Sequence, residues 1–451
     1  MGMEKKVALT VAGSDPSGGA GIQADLKSFT YLGVHGTTVI TCITSQNTHR
    51  VTGISKVPAD MIQSQMESIL DDIPIAAVKT GMLYDDEIVQ LVSQLLVKYH
   101  LKPVVDPVMV ATSGDRLSDD SFVSSLKQHL LPQAFMVTAN APEASMLAGI
   151  PVENQQDAKD ACKTIVSFGS QYVLVKGGHL KDDKAVDILY DGKRFYTFSL
   201  PRLPTKKAHG SGCTLSSLIT GLLALGEPPV DAVQKAKHIT WAMIQEGYAP
   251  GKGSDVLDHS IRVLVPPTFK DDEQFEVWVE LKTMVRQLLT LLPVSFIPEV
   301  GMNVVYATQH TTSRNDVCGI NGRITKCNHK PHLCGSLGFG ASKHIASVVL
   351  AAHSVDPTVR AALNIRYSKQ TVELCRTIGL SVGTFDRKNE PATASSTMEW
   401  GTKQAIATLG RVPDVIYDEG GIGKEPMIRI LGKNPADVLT KLKKLLSASN
   451  Q

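Results

Sequence analysis

Through residues 7–247 the chain alternates short apolar runs with longer stretches in which apolar residues recur every three or four positions. Short runs bounded by turn formers read as buried strands, and the 3.6-residue period reads as helix. Val7 to Ala12 is such a run; it meets the glycine-rich Gly13-Ser14-Asp15-Pro16-Ser17-Gly18-Gly19-Ala20-Gly21, and a helix follows from about Ile22 to Tyr31. Further strands are predicted at Thr37 to Thr44, Ala76 to Met82, Pro103 to Met109, Phe135 to Thr138 and Tyr172 to Lys176. Helices are predicted at Ala59 to Leu70, Glu87 to Tyr99, Asp119 to Leu130, Pro142 to Leu147 and Gln155 to Phe168. Val186 to Leu189 and Arg194 to Phe198, joined through Asp191-Gly192-Lys193, form a hairpin. Strand and helix in alternation, with one late hairpin, imply a mostly parallel sheet covered on both faces.

A helix over residues 230–247 closes this region, and Arg262-Val263-Leu264-Val265-Pro266-Pro267 marks a boundary. Paired prolines stop regular structure, so residues 266–274 are expected to be a linker between a domain at 1–265 and another at 275–451. The second domain opens on a helix with apolar positions Phe275, Val277, Leu281, Met284, Val285 and Leu288. Strand Val304 to Ala307 and a loop to about Gly340 follow it. The rest alternates: helix Ser342 to Ala352, strand Leu363 to Tyr367, helix Thr371 to Ile378, strand Val382 to Phe385 and helix Glu399 to Leu409. Strands Val415 to Tyr417 and Met427 to Leu431 and a helix from Ala436 to Leu446 complete a second, smaller α/β unit.

Composition adds limits. A length of 451 residues with 43% hydrophobic and 20% charged positions is globular and too large for one ordinary core. Seven cysteines, dispersed without small-domain spacing, suit reduced thiols in a cytoplasm. No run has membrane-spanning length, so no membrane role is expected. Net charge is −3 over residues 1–265 and +5 over 266–451. That mild basicity suits a small anion and is too dispersed for nucleic acid.

Chemistry concentrates at Lys207-Ala208-His209-Gly210-Ser211-Gly212-Cys213-Thr214, where a glycine-rich turn runs into the apolar helix of Leu215, Leu218, Ile219 and Leu222. A helix start offers free N–H groups and a positive dipole end to an anion, and a cysteine there is placed to be ionised and take a proton. A glycine-capped helix with a small buried cysteine is the alternative reading of the same residues. Polar residues also recur at strand ends: Asp15, Asp25, Gln46, Lys79, Asp106, Asn140 with Glu143, and Lys176-Gly177-Gly178. Ligands of open α/β sheets bind at that edge. Asp106 and Glu143 carry hard oxygens for Mg²⁺ or its waters, and Lys176 is able to neutralise phosphate. The first glycine loop is neither a Rossmann fingerprint nor a Walker A, because its glycines and lysine are wrongly spaced.

Gly13 to Lys27, Thr44-Ser45-Gln46-Asn47-Thr48, Val78-Lys79-Thr80-Gly81-Met82, Val105-Asp106-Pro107-Val108-Met109 and His209 to Thr214 together resemble the hydroxymethylpyrimidine kinase/phosphomethylpyrimidine kinase family. The resemblance implies a ribokinase-like three-layer fold. It also implies that Cys213 stands as the base, that Gly210, Ser211 and Gly212 form an anion hole, and that Asp25, Gln46 and Met82 contact the pyrimidine. Mg-ATP is then handled by Asp106, Asn140, Glu143 and Lys176. Where family members carry Thr-Pro-Asn, this chain has Thr138-Ala139-Asn140-Ala141-Pro142-Glu143, with the Asn-to-Glu spacing kept.

In the second domain, Gly335 to His344 opens a helix, with Ser342 as a cap and Lys343 and His344 in the first turn. Cys327, His329, His332 and Cys334 are possible metal ligands in no standard zinc spacing, against which stands a surface loop. Asp418-Glu419-Gly420-Gly421-Ile422-Gly423-Lys424-Glu425 reads as a turn between strands, and its acidic and basic groups are also available for a diphosphate or Mg²⁺. With Gly319 to Ile324, Gly338 to Ala346 and Asn364-Ile365-Arg366-Tyr367, these stretches resemble the archaeal-type thiamine-phosphate synthase domain. That resemblance implies condensation of hydroxymethylpyrimidine diphosphate with thiazole phosphate, with Arg323 and His344 catalytic. The expected partners are small molecules, ATP and Mg²⁺ among them, taken up by a cytoplasmic homo-oligomer. The rival is a pyridoxal-type kinase joined to a non-catalytic domain that senses thiamine phosphate.

Overall fold

The computed structural model describes residues 5–109, 120–179, 184–203, 208–260, 269–391, 396–421 and 423–449. Asp119, Lys207, Ile422 and the stretch Arg262 to Pro267 lie outside the described residues. The chain divides into two compact units, Met1–Val265 and Pro266–Gln451.

Along unit 1 run β1 (Val7–Ser14), α1 (Gly21–Tyr31), β2 (His35–Gln46), β3 (Val51–Lys56), α2 (Ala59–Leu70), β4 (Ala77–Thr80), α3 (Asp86–Lys98) and β5 (Pro103–Val105). After these come α4 (Asp120–Ser125), β6 (Met136–Asn140), α5 (Ala141–Ala148), α6 (Gln155–Val166), β7 (Tyr172–Lys176) and the hairpin of β8 (Lys184–Tyr190) and β9 (Phe195–Pro201). β10 (Ala208–His209), α7 (Ser211–Ala224), α8 (Pro229–Gln245) and β11 (Asp255–Val256) end the unit.

The nine-stranded sheet has the order β3-β2-β1-β4-β5-β6-β7-β8-β9, and β2, β1, β4, β5, β6 and β7 pair in parallel. Period-two alternation divides the strands between two cores: Val105, Val137, Val173 and Val175 face the layer containing Ile62, Val92 and Ile165. Their neighbours Val104, Met136 and Leu174 face Leu218, Ile219 and Leu222 of α7 and Ile239 of α8. Apolar helices therefore cover both faces, which accounts for strands that read as continuous apolar runs. Strand order reverses beside β1, where β2 departs to one side and β4 to the other. The carboxyl ends of β1 and β4 thus open on the crevice where such sheets bind ligands.

Two local departures have physical causes. The edge strand β3 was not expected, because half of its residues are exposed, none is buried and it carries little apolar pattern. The helix expected over Asp119 to Leu130 is α-helical only to Ser125; it widens into a π-turn at Leu126–Leu130 just before Pro132, which lacks the N–H to continue the ladder.

Unit 2 contains α9 (Asp272–Leu291), β12 (Val304–Ala307), β13 (Val317–Cys327), β14 (Lys330–Phe339), α10 (Lys343–His353), β15 (Ala361–Arg366), α11 (Lys369–Thr377) and β16 (Val382–Thr384). Then follow α12 (Thr397–Leu409), β17 (Val415–Asp418), β18 (Met427–Gly432) and α13 (Pro435–Ser449). Its sheet runs β14-β13-β12-β15-β18-β17-β16 and is antiparallel except for the β16–β17 pair. Ile345, Val348 and Val349 of α10 and Ala405 and Ile406 of α12 pack on one face, against Val305, Ile416 and Leu431.

The loop expected up to Gly340 is instead the long hairpin β13–β14. Asn328 and His329 turn it with φ of 48° and 57°, the positive pair of a two-residue hairpin turn. Cys327, His329, His332 and Cys334 consequently sit on that hairpin, and among the described residues no group of three or more His, Cys, Asp or Glu side chains is placed to hold a metal ion.

Candidate active sites

The two glycine-rich stretches of unit 1 meet backbone to backbone. Gly210 caps α7 with φ 83°, and a Cβ there would fall 1.8 Å from the Gly19 carbonyl oxygen, so only glycine fits. No side chain caps α7, which leaves the N–H groups of its first turn to another acceptor. A Cβ on Gly212 would stand 3.2 Å from Lys176 Nζ and 3.9 Å from Asp106 Oδ2. The turn 210–212 and the ends of β5 and β7 therefore come together at one edge of the sheet.

Lys176 Nζ lies 2.9 Å from Asp106 Oδ1 and 3.8 Å from Glu143 Oε2. Asp106 also accepts from the Ser216 hydroxyl of α7 at 3.3 Å. Asn140 and Glu143 form a reciprocal capping box at the start of α5: the Glu143 carboxylate accepts from the Asn140 N–H, and the Asn140 side chain accepts from the Glu143 N–H. Burial pushes the Glu143 carboxyl up to about 7; the Lys176 ammonium opposes this and Asp106 adds to it. Lys176 is held above its usual range because the two carboxylates outweigh its own burial.

On the other side of the turn, Gln46 Nε2 stands 3.1 Å from His209 Nε2, and that nitrogen is 3.0 Å from Asp15 Oδ2. Asp15 also accepts from the Ser17 and Ala20 N–H groups, which shapes the first glycine loop. Burial pushes the Asp15 carboxyl up, but hydrogen bonds from His209 and Ser17 outweigh it and hold the group below the usual carboxylate range. Met82, half-buried, lies over Gly13: a Cβ there would be 3.6 Å from its Sδ.

One expectation is corrected. Asp25 presents no surface to a ligand. It is 0% exposed, and its carboxylate accepts from Thr10 at 2.6 Å, Lys79 at 2.9 Å and Ser217 at 2.5 Å. It braces the site from beneath, with no surface left for a ligand to touch in this conformation. The ionisation of Cys213, which the sequence leaves open, is disfavoured. Burial pushes the thiol up to about 12, against which the Lys79 ammonium and a hydrogen bond from the Gly21 N–H act only in part. The helix start supplies less stabilisation than desolvation removes.

In unit 2 a cavity of about 770 Å³ opens between β13, the start of α10 and the start of β18. Arg323 of β13 and His344 of α10 both line it, so the two residues singled out by sequence are brought together. Arg323 donates to the Val300 carbonyl. Burial lowers the His344 imidazole, and Arg323, Lys343, Arg387 and Arg429 lower it further, which keeps the ring neutral near pH 7. Ser342 precedes α10 in the left-handed region, φ 59°, without a side-chain cap, which departs from the expected capping role.

Sequence reasoning missed Arg387 and Arg429 in this wall, and it named the stretch from Asp418 without the pairing of Asp418 to both guanidinium groups. Arg387 lies in an irregular stretch with no periodic signal. Arg429 did carry one: it is the charged residue inside the apolar run Met427-Ile428-Arg429-Ile430-Leu431. In unit 1, Lys79 and His209 were quoted within motifs without a role, and their partners Asp25 and Asp15 are distant in sequence.

A family model described as phosphomethylpyrimidine kinase matches residues 15–258, and one described as thiamine-phosphate synthase ThiN matches residues 280–444. The chain is 32% identical over 437 residues, 97% of its own length and 97% of the other, to the bifunctional thiamine biosynthesis protein ThiDN of Methanocaldococcus jannaschii. It is 44% identical over 252 residues to the thiamine biosynthesis bifunctional protein ThiED of Geobacter sulfurreducens. That match covers 56% of this chain and spans about half, 51%, of that relative. Among solved structures, pyridoxal kinase from Staphylococcus aureus in complex with AMP-PCP and pyridoxal aligns with TM-score 0.54 and 34% identity, over 58% of this chain and 96% of that one.

Proposed function

The chain belongs to the family in which a phosphomethylpyrimidine kinase is joined to a ThiN-type thiamine-phosphate synthase, and on that premise we propose that it makes thiamine phosphate in three steps. Residues 1–265 phosphorylate 4-amino-5-hydroxymethyl-2-methylpyrimidine with ATP, then phosphorylate the monophosphate again. Residues 275–451, beyond a linker at 266–274, join the diphosphate to thiazole phosphate and release pyrophosphate.

The observation that carries the kinase reading is the approach of Gly212 to Lys176 and Asp106 at the start of α7. In each transfer a substrate oxygen attacks the γ-phosphorus of ATP while the bond to the ADP oxygen breaks. The Gly210, Ser211 and Gly212 N–H groups receive the charge of the moving phosphoryl group, and the Lys176 ammonium neutralises it. Gln46 and Met82 hold the pyrimidine ring, and Asp25 fixes Lys79, whose ammonium acts on Cys213, and Ser217 of α7. In the first transfer the hydroxymethyl group gives up a proton, for which Cys213 as thiolate is the acceptor. In the second the attacking oxygen is a phosphate, already ionised, and Cys213 only positions it.

Asp106 and Glu143 offer hard oxygens beside the same ammonium, and Asn140 anchors Glu143, a donor set that suits Mg²⁺ held through water. Mg²⁺ when bound neutralises ATP phosphate charge. In unit 2, Arg323 stabilises the departing pyrophosphate as the pyrimidine methylene becomes cationic and the thiazole nitrogen attacks. His344, neutral, donates to the same oxygens.

The S. aureus structure favours one rival, a pyridoxal kinase, since the pyridoxal in that complex is a ring alcohol of similar size. Product analysis with each alcohol separates the readings. The pyrimidine is expected to yield both mono- and diphosphate; a chain that phosphorylates pyridoxal efficiently and never forms the pyrimidine diphosphate would belong to the rival.

A further inference from the structure

The wall of the unit 2 cavity holds more positive charge than Arg323 supplies. Lys343, Arg387, Lys424 and Arg429 also line it, against the single carboxylate of Glu425. Glu425 is itself engaged, accepting from the Glu299 and Val300 N–H groups at 2.9 and 3.0 Å. Such a wall calls for a ligand with several anionic oxygens.

Behind it Asp418 ties two of the guanidinium groups together. Its Oδ1 accepts from Arg387 Nε at 2.6 Å and from the Gly420 N–H at 2.9 Å. Its Oδ2 accepts from Arg429 Nη2 at 2.7 Å and Arg387 Nη2 at 3.2 Å. A carboxylate has about four acceptor sites, so Asp418 is saturated. Arg429 is nevertheless left with donors to spare. Its Nη1 makes only a long contact to the Met427 carbonyl at 3.4 Å, and its Nε, buried, has no partner. Leaving a charged donor buried and unpaired is costly, and Arg429 is 2% exposed. Its guanidinium also stacks on the Phe385 ring at 5.6 Å, and an anion in the cavity that Arg429 lines would supply an acceptor that Asp418 cannot.

We infer that Arg387 and Arg429, held in register by Asp418, form a second anion clamp that binds the diphosphate of the pyrimidine substrate and keeps hold of it as pyrophosphate when the C–O bond breaks. This rests on the synthase reading of unit 2. Arg387 spends Nε and one Nη on Asp418 and keeps its other Nη for the ligand. Arg323 and His344 reach the same cavity from β13 and α10, so the diphosphate is gripped from both walls. Asp418 touches no ligand; it is a positioning residue.

The test uses the full-length chain, with calorimetric titration of inorganic pyrophosphate and steady-state condensation kinetics in which each substrate is varied in turn. Arg387→Ala is expected to weaken pyrophosphate binding and to raise the KM for the pyrimidine diphosphate, each by roughly ten- to a hundred-fold, with the KM for thiazole phosphate little changed. Arg387→Lys should recover only part of this, because an ammonium lacks the fork. Asp418→Asn discriminates further. Removing a negative charge should tighten an anion if bulk electrostatics governs the cavity, whereas loss of the tether weakens it. Circular dichroism melting of each variant identifies those that fold, and Arg387, at the edge of the wall, keeps the test usable if Asp418→Asn does not. Unchanged pyrophosphate affinity in a folded Arg387→Ala that still condenses would overturn the clamp and leave the synthase reading standing, as would a rise confined to the thiazole phosphate KM. Tight pyrophosphate binding lost on Arg387→Ala, in a wild-type chain that makes no thiamine phosphate, would support the clamp and sink the synthase reading.

Discussion

Cys213 gives the kinase account its sharpest quantitative test. Burial holds the thiol near 12, with Lys79 and the Gly21 N–H opposing it only in part. At pH 8 the group lies four units below that midpoint, so roughly one site in 10⁴ is a thiolate. If the thiolate takes the hydroxymethyl proton, the rate of the first phosphorylation follows its population. The sign is positive: raising pH deprotonates the thiol and speeds the step, about tenfold per pH unit from 7 to 10, with no plateau below about 11. The second phosphorylation uses a phosphate nucleophile ionised above about pH 6, so its rate should stay nearly flat over the same range. Cys213→Ala should slow the first step by about 10² to 10⁴ and abolish its slope, while changing the second only a few-fold. The assay is single-turnover quench with purified alcohol or purified monophosphate, at saturating ATP and Mg²⁺. Parallel pH profiles for the two steps, or equal losses in Cys213→Ala, would refute the reasoning and make Cys213 a packing residue.

Other outcomes follow from the same geometry. Gly210→Ala places a methyl against the Gly19 carbonyl in a left-handed turn, and chemical denaturation should register a loss on the order of 2 to 4 kcal/mol together with loss of kinase activity. Glu143, whose folded carboxyl is raised to about 7 from an ordinary 4.5, favours the fold while protonated and loses that contribution as pH climbs through its folded midpoint. Stability should therefore fall between about pH 4.5 and 7 by on the order of 1 to 3 kcal/mol, and Glu143→Gln should flatten that slope in denaturation series. The His344 imidazole is held below its ordinary range, so the acid limb of condensation should fall at lower pH than an unperturbed histidine would give, with no further change on the alkaline side of neutrality. Arg323→Ala and His344→Ala should each depress condensation by about 10² or more in a coupled assay while leaving both phosphorylations intact.

Elements with a buried stripe or run were legible in the sequence. Ala59–Leu70, Tyr172–Lys176 and Val304–Ala307 have the predicted ends, because each is bounded by turn formers and packed on a core. The hairpin β13–β14 was not, because β14 sits at the sheet edge, buries little, and is interrupted by Gly335 opposite Gly322. Without an apolar period there was nothing to distinguish it from a loop. At the sites, Arg323 with His344, and Gly212 with Lys176 and Asp106, were named from motifs and are adjacent in space. The direction in which a side chain faces was not legible: Asp25 belongs to the kinase motif yet points into a buried cluster with Lys79. Nor was the balance between a helix start that favours a thiolate and burial that opposes it, since desolvation depends on residues far apart in sequence. Arg387 is in the same position, defined only by Asp418 and the cavity it lines.

The central claim is that one chain carries pyrimidine phosphorylation through to the vitamin phosphate. Hydroxymethylpyrimidine, ATP, Mg²⁺ and thiazole phosphate, incubated with the full-length chain and followed by chromatography, test it directly. The account predicts transient mono- and diphosphate, then thiamine phosphate with one pyrophosphate per product; diphosphate that accumulates with no thiamine phosphate would contradict it.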